Sequence, residues 1–122
     1  MQRNPVGWFE IYVQDMPRAK GFYEGVFGVS LQALDSPGME MWVFPMTDGP
    51  GASGALVRMD GCVSAGNSTL VYFTCADCAV EAGRAVALGG KVFKEKFSIG
   101  QYGFVALVCD PDGNMIGLHS MA

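Results

Sequence analysis

An internal repeat constrains what this chain can fold into more than any other feature of its sequence. When the sequence is aligned with itself at an offset of 62 positions, without a gap, its second half matches its first half at many positions. The matched residues are mostly turn and helix-cap types, whose backbone requirements leave little freedom. They include the pairs Asp15 and Asp77, Gly21 and Gly83, Gly28 and Gly90, Asp48 and Asp110, and Gly51 and Gly113. The sequence therefore predicts two copies of one supersecondary unit.

The first copy reads as a strand, a helix and three further strands. Residues 8–13 alternate in the manner of a strand, Asp15 predicts a helix cap, and Pro17 fits the first helical turn. Gly28 predicts the end of this helix. The apolar residues at helical spacing predict one buried helix face, which consists of Ala19, Phe22, Tyr23, Val26 and Phe27.

The second copy follows the same order, with a cap at Asp77 and a turn at residues 110–113 before the last strand. A turn of the same kind is predicted at residues 48–51 of the first copy. Repeat 1 covers about residues 6–59 and repeat 2 about residues 69–121, joined by a linker at residues 60–68 that is rich in Gly, Ser and Asn. We expect one α+β domain over residues 1–122.

Composition and charge exclude several classes of partner. The 122 residues carry a net charge of −4, and the eight Lys and Arg residues form no basic run. Nucleic acid and anionic membranes are therefore poor partners. No apolar run approaches membrane-spanning length, and the first residues contain no signal-type apolar stretch. We expect a cytoplasmic protein.

Cys75 and Cys78 form a CxxC motif, which marks redox or zinc sites in other proteins. Here Cys75 closes an apolar strand, Cys78 opens a helix, and no second pair of zinc ligands accompanies them. The sequence favours two structural cysteines. Activation of Cys78 by the helix N-terminus is the alternative.

Four short motifs lie along the chain, namely Val13-x-Asp15, Phe22-Tyr23, Phe27-Gly28 and Asp110-Pro111-Asp112-Gly113-Asn114. Together they resemble the signature of the vicinal oxygen chelate superfamily, which includes glyoxalase I, extradiol dioxygenases, fosfomycin-resistance enzymes and bleomycin-binding proteins. The resemblance covers nearly the whole chain and is greatest to the glyoxalase-like branch. It implies tandem β-α-β-β-β repeats with curled mixed sheets that enclose a concave cavity, and a homodimer.

The resemblance also implies where metal-dependent members of the family carry their ligands, on the first and last strand of each repeat. Matched motif by motif, these four positions hold Trp8, Ala55, Leu70 and Gly117. None of these side chains binds a metal ion, because such sites need carboxylate or imidazole groups. We therefore expect neither a metal nor another cofactor.

Strand alternation predicts which side chains line the cavity. If the four positions above face the cavity, their neighbours two residues away do so too. In the middle strands, the alternating sets that contain polar members are the better candidates. The predicted ligand-binding residues are Trp8, Tyr12, Trp42, Tyr72, Thr74 and Phe104. The alternative is that the two tryptophans fill a collapsed core.

Glu10 and His119 are the candidate catalytic residues. Glu10 lies in an otherwise apolar strand, where burial of an unpaired carboxylate would be costly. His119 is the only histidine and lies on the last strand. The two could act as a general base, bind a ligand, or hold a displaced metal with a third group. For His119, exposure or a simple hydrogen bond is the alternative.

Three functions remain open at this point. The sequence favours a small-molecule-binding protein that lacks the family's metal ligands. The second is a lyase- or isomerase-like enzyme that uses Glu10 as base, either metal-free or with a displaced metal. The third is a structural or regulatory dimer whose cavity has closed. The sequence does not identify the ligand.

Overall fold

The first and last strands of each repeat pair in parallel, and this pairing organises the fold. The computed structural model describes residues 4–46, 51–64 and 66–122. In chain order its elements are β1 Val6–Tyr12, α1 Met16–Phe27, β2 Gln32–Leu34, β3 Glu40–Val43, β4 Ser53–Arg58, β5 Thr69–Thr74, α2 Cys78–Ala87, β6 Lys91–Ser98, a 3-10 turn Gly100–Tyr102, β7 Phe104–Cys109 and β8 Met115–Ser120. They form two compact units, an N-terminal unit of Trp8–Thr69 and a C-terminal unit of residues 4–7 and Leu70–Ala122.

In the N-terminal unit the strands lie in the order β2-β3-β4-β1. β1 and β4 are parallel, so Glu10 lies opposite Ala55 and Tyr12 lies opposite Val57. β3 runs antiparallel to both β2 and β4. A parallel pair requires a long crossover, which α1 and the β2–β3 hairpin provide.

The C-terminal unit repeats this arrangement in the order β5-β8-β7-β6. β5 and β8 are parallel, with Tyr72 opposite Gly117 and Thr74 opposite His119. β7 runs antiparallel to both β6 and β8, and two irregularities interrupt its pairing with β6. The predicted α+β class and the repeated β-α-β-β-β order are confirmed.

Both helices begin at the caps that the sequence indicates, and α1 ends at the predicted glycine. The Asp15 carboxylate accepts a hydrogen bond of 3.1 Å from the Arg18 backbone N–H, and the Asp77 carboxylate accepts one of 3.0 Å from the Ala79 N–H. These bonds satisfy N–H groups that the first turn of a helix leaves without partners. Gly28 ends α1 with φ +64°, a conformation that suits glycine.

The predicted buried face of α1 is only partly correct. Met16 is 1% exposed, and Ala19 and Tyr23 pack beside it against the sheet. The other three residues of the predicted face are largely exposed, Phe22 at 60%, Val26 at 58% and Phe27 at 64%. Phe22 and Val26 form a second stripe about 100° around the helix from the stripe that contacts the sheet.

The N-terminal unit packs apolar side chains on both faces of its sheet, because residues of β4 point alternately to either side. Leu56 packs against α1 in a cluster with Val13, Met16 and Leu31. Ala55 and Val57, both 0% exposed, pack on the opposite face with Met41 and Val43. The C-terminal unit buries Ala106, Val108 and Leu118 beneath α2.

The predicted turn at residues 110–113 is well defined. The Asp110 carboxylate accepts backbone hydrogen bonds of 2.9 Å from both Asp112 and Asn114. Hydrogen bonds from the Asn114 side chain and backbone hold the pKa of Asp110 below its usual value. The corresponding turn predicted at residues 48–51 falls on Asp48, Gly49 and Pro50, which lie outside the described residues. In the part of the chain that the structure describes, no helix is long and apolar enough to cross a membrane.

We predict that Gly54→Ala destabilises the protein, because a methyl group at this position would overlap with the carbonyl oxygen and ring of Phe9. The expected loss in free energy of unfolding is about 1–3 kcal/mol, measured by urea denaturation. Gly83→Ala is the control, since a methyl group there meets nothing within 4 Å. Alanine should stabilise α2 by about 0.5–1 kcal/mol. If both variants lowered the free energy of unfolding, or both raised it, this account of the β1–β4 contact would be contradicted.

Candidate functional site

A nearly buried carboxylate on β1 is the most distinctive polar group of the N-terminal unit. Glu10 is 9% exposed. Its Oε1 accepts a hydrogen bond of 2.8 Å from the Tyr12 hydroxyl, and its Oε2 accepts one of 3.2 Å from the Trp8 indole N–H. Since alternate residues of a strand share a face, one short segment supplies the carboxylate and both donors. These bonds fix the orientation of the carboxylate.

The surroundings of Glu10 are apolar. Trp8 and Tyr12 pack against the buried cluster that β3 and β4 contribute on this side of the sheet, which consists of Met41, Val43, Ala55 and Val57. We call this side of the N-terminal unit the Glu10 face. A charge in such surroundings interacts more strongly with its partners than it would in water.

Tyr12 is held in its protonated form. Burial is the main cause that raises the pKa of its phenol above the usual value of 10.0, and the negative charge of Glu10 raises it further. The hydroxyl therefore remains a hydrogen-bond donor to Glu10 throughout the neutral range.

The predicted position of Trp42 is wrong. Its side chain packs on the α1 side of the sheet, among the residues around Met16. The Lys20 ammonium lies 3.3 Å from the centre of the Trp42 ring, and the indole N–H donates to Glu40 at 3.1 Å. Polar atoms in an alternating set therefore do not mark the cavity side of β3. Here the polar atoms of Trp42 and Glu40 contact each other at the edge of the helix side.

Phe104 is misplaced in the same way. It packs with Ala106 and Val108 in the cluster beneath α2. Ala106 is 0% exposed and lies with Cys78 and Ala82 of the helix. Small residues allow the helix to approach the sheet closely, and this sets which side of β7 faces it.

β3 contributes a different pair of residues to the Glu10 face. Met41 lies opposite Val57, and Val43 lies opposite Ala55. The sequence identifies this side of β4 correctly, so the register of the β3–β4 pair is the missing information. The alternation of β3 alone does not tell its two faces apart.

In the C-terminal unit, Tyr72 covers Gly117. A methyl group at position 117 would overlap with the Tyr72 ring, so both residues lie on one face of the sheet. Thr74 is exposed, and its hydroxyl packs against the Cα of Gly7. The ring and the hydroxyl thus occupy the positions that Glu10 and Tyr12 hold in the first repeat.

His119 is half-buried and hydrogen-bonded. Its Nε2 donates to the Tyr102 carbonyl oxygen at 2.6 Å, which fixes the tautomer in this geometry. Its backbone carbonyl accepts from the Cys75 N–H at 2.7 Å. Glu10 belongs to the other unit, so the pairing of these two residues in one site stays a prediction.

The structure shows the surroundings of the four residues that the motif match assigns to the family's ligand positions. Trp8 donates its indole N–H to Glu10, and Gly117 lies beneath the Tyr72 ring. Ala55 and Leu70 offer only hydrocarbon, at 0% and 5% exposure. Among residues 4–46, 51–64 and 66–122, no three His, Cys, Asp or Glu side chains form a group that could hold a metal ion.

The CxxC cysteines are free thiols with structural positions. Cys78 is 0% exposed in the core beneath α2, so the alternative of an accessible, activated thiol is wrong. Burial, together with the negative charge of Glu81, raises the pKa of the Cys75 thiol to about 11. At neutral pH this thiol is protonated and a weak nucleophile.

An open depression of about 470 Å³ lies at the β2–β3 hairpin. Three of its lining residues, Leu34, Met39 and Met41, also pack in the cluster with Trp8 and Tyr12. The depression therefore adjoins the Glu10 face. Asp35 and Glu40 add carboxylates to its lining.

Comparison with known proteins agrees with this architecture. Residues 6–118 match the Glyoxalase/Bleomycin resistance protein/Dioxygenase superfamily. The chain belongs to this superfamily. The resemblance drawn from its motifs is thus confirmed over almost its full length.

Solved structures of the superfamily share the fold. Methylmalonyl-CoA epimerase from Mycobacterium tuberculosis superposes with a TM-score of 0.71 at 16% identity, over 97% of this chain and 88% of the epimerase. A variant of the Streptomyces coelicolor methylmalonyl-CoA epimerase, in complex with 2-nitronate-propionyl-CoA, gives 0.70 at 18% identity and covers 97% of each chain. At such identities the likeness concerns the fold alone.

A curated relative is more similar in sequence. The anthracycline biosynthesis protein DauV from Streptomyces sp. (strain C5) is 32% identical over 90 residues, which are 74% of this chain and 32% of that protein. The chain therefore spans about a third of the length of this relative.

We predict that raising the pH above about 10 destabilises the protein in part through Tyr12. Its pKa is higher in the folded state, so the unfolded state loses the proton first and stability falls as pH rises. Tyr12→Phe should cost about 1–3 kcal/mol at neutral pH, because Glu10 loses a donor. The difference in free energy of unfolding between Tyr12→Phe and the wild-type protein should become smaller above pH 10. Tyr102→Phe, at a residue 46% exposed, is the control in thermal unfolding across pH. If this difference between Tyr12→Phe and the wild-type protein stays constant with pH, the prediction is contradicted.

Proposed function

We propose that the protein binds a small organic molecule on the Glu10 face of its N-terminal unit. The observation that carries this proposal is the Glu10 carboxylate, 9% exposed and held by hydrogen bonds from Trp8 and Tyr12 among apolar side chains. Small-molecule sites commonly combine apolar walls with a few oriented polar groups. The adjoining depression at the β2–β3 hairpin offers a route from solvent.

Glu10 suits the role of a polar anchor. Trp8 and Tyr12 both donate to its carboxylate and hold it in a fixed orientation, and an oriented carboxylate accepts hydrogen bonds from a hydroxyl, amide or amine of a ligand. Met39, Met41 and Met59 surround the same cluster. Their flexible thioethers let a binding surface adapt to flat or irregular molecules.

The descriptions of two similar proteins mention compounds that can serve as probes of binding. DauV is described as an anthracycline biosynthesis protein, and the structural neighbours include epimerases of methylmalonyl-CoA. An anthracycline offers a flat aromatic body, whereas an acyl-CoA thioester offers a long polar chain. An apolar face with one carboxylate is the better fit for the former.

The alternative function is that of a lyase- or isomerase-like enzyme in which Glu10 acts as base. The presence of epimerases among the structural neighbours favours it. A base must reach the proton that it removes, and Glu10 lies on the face where a ligand would bind. Trp8 and Tyr12 would then hold the base in position.

The remaining expectations belong to the same proposal. The binding function needs no metal and no other cofactor. The residues that the motif match assigns to the ligand positions support this, because their side chains offer no ligand for a metal ion. We propose that two copies of the chain form a homodimer, as the family resemblance implies. Four free cysteines fit a cytoplasmic protein. Nucleic acid and membranes are not expected as partners.

We predict that an anthracycline raises the melting temperature of the wild-type protein and quenches the fluorescence of Trp8. At a concentration of 100 times Kd, the stabilisation would be about 2.7 kcal/mol. Glu10→Gln should weaken binding at least tenfold, because the anchor loses its charge. Glu95→Gln is the control, since Glu95 is an exposed carboxylate on β6 of the other unit and lines neither the Glu10 face nor the depression.

The same variants, in D2O with methylmalonyl-CoA, test the alternative function. Exchange of the α-hydrogen for deuterium, observed by proton NMR and abolished by Glu10→Gln but not by Glu95→Gln, would favour the enzyme over the binding protein. Equal binding by wild type and Glu10→Gln, with no exchange in either, would contradict both functions at this site.

We predict that the purified protein carries no stoichiometric divalent metal and that a chelator leaves its melting temperature unchanged. The reason is that the side chains at the four family positions offer no ligand for a metal ion. Elemental analysis and thermal unfolding with and without EDTA provide the measurement. One metal ion per chain, removed by EDTA with a fall in melting temperature, would establish a displaced metal site.

A further inference from the structure

The solvent side of α1 combines large apolar side chains with open glycines. Arg18, Gly21, Phe22, Gly25 and Val26 lie within an arc of about 140° around the helix. This arc, which we call the α1 outer face, points away from Met16 and Tyr23, which contact the sheet. Phe22 is 60% exposed and Val26 is 58% exposed. Such side chains are unusual on a fully solvated helix face.

Gly21 and Gly25 form a notch beside these two side chains. A methyl group built at either position meets nothing within 4 Å, so neither glycine is needed for contacts within its own chain. Glycine inside a helix is unfavourable compared with alanine. The two glycines lie about one turn apart, and so do the two apolar side chains, which form a parallel row about 100° around the helix. An apolar row beside a notch of matching spacing could pack against the same surface of a second copy.

The second repeat offers a comparison for this face. At the shift of 62 positions, Gly83 matches Gly21, but Arg84 replaces Phe22 and Ala87 replaces Gly25. Val80 and Leu88 take the positions of Arg18 and Val26, and they are 49% and 79% exposed. The α2 face thus also carries exposed apolar side chains, but it lacks the phenyl ring and the second glycine of the notch.

The charges of α1 favour an antiparallel partner helix. Its first turn contains no acidic residue, its last turn contains no basic residue, and Arg18 lies near the positive end of the helix dipole. Among the residues that the structure describes, no carboxylate pairs with the Arg18 guanidinium. A partner helix that runs in the opposite direction would place its negative C-terminal end beside Arg18.

We propose that the α1 outer face is the surface through which two copies of this chain pair. A two-fold axis midway between Gly21 and Val26 inserts Phe22 and Val26 of each copy into the glycine notch of the other. At 1.5 Å per residue, Arg18 then lies about 8 Å from the axis, beside the end of the partner helix at Gly28. This interface rests on the homodimer proposed above, to which it assigns a surface.

Gly25→Gln tests the interface without harm to the fold. Glutamine is a better helix former than glycine and meets no neighbour in its own chain, but it fills the notch. Gly83→Gln is the matched control on α2, where a side chain also meets nothing within 4 Å. Sedimentation velocity over a range of protein concentrations should show dimers for wild type and Gly83→Gln, and monomers for Gly25→Gln. The monomeric variant should retain its circular dichroism spectrum.

A second variant, Phe22→Gln, should weaken dimerisation at least tenfold by the same measurement. Dimers that persist in both variants would leave the homodimer intact and overturn the α1 outer face as its interface. A wild-type protein that stays monomeric at all concentrations would overturn both the homodimer and this surface.

Discussion

Parallel pairing between the first and last strand of each unit is the constraint on which the rest of the structure depends. In the N-terminal unit it brings Glu10 beside Ala55 and Tyr12 beside Val57, and in the C-terminal unit it brings Tyr72 beside Gly117. A parallel connection needs a helix that crosses one face of the sheet. That face is then committed to packing against the helix, and only the opposite face is available for a ligand.

Much of this architecture could be predicted from the sequence, since turns and helix caps restrict the backbone independently of their neighbours. Asp15, Gly28 and Asp77 lie where the repeat places them. The faces of the middle strands could not be predicted, because alternation gives two equivalent sets and only packing decides between them. The prediction therefore placed the side chains of Trp42 and Phe104 on the wrong side of the sheet. On the first strand, the motif match at Trp8 chose between the two faces, and Trp8, Glu10 and Tyr12 do share one face in the structure.

The two repeats share a scaffold but differ in what their first strands carry. Where the first repeat has Glu10 and Tyr12, the second has Tyr72 and Thr74. In the first repeat, the indole and phenol of one strand satisfy the carboxylate of that same strand. One strand thus supplies both the carboxylate and two of the groups that donate to it.

The contact between Tyr72 and Gly117 has a consequence for how this face of the second repeat could change. Any side chain introduced at position 117 would need a Cβ in space that the Tyr72 ring occupies. Tyr72 would have to be replaced by a smaller residue, or its ring would have to turn aside, at the same time. Two simultaneous changes are far rarer than one, so the ring keeps position 117 restricted to glycine. New chemistry on this strand is therefore limited by packing as well as by the residue that is present.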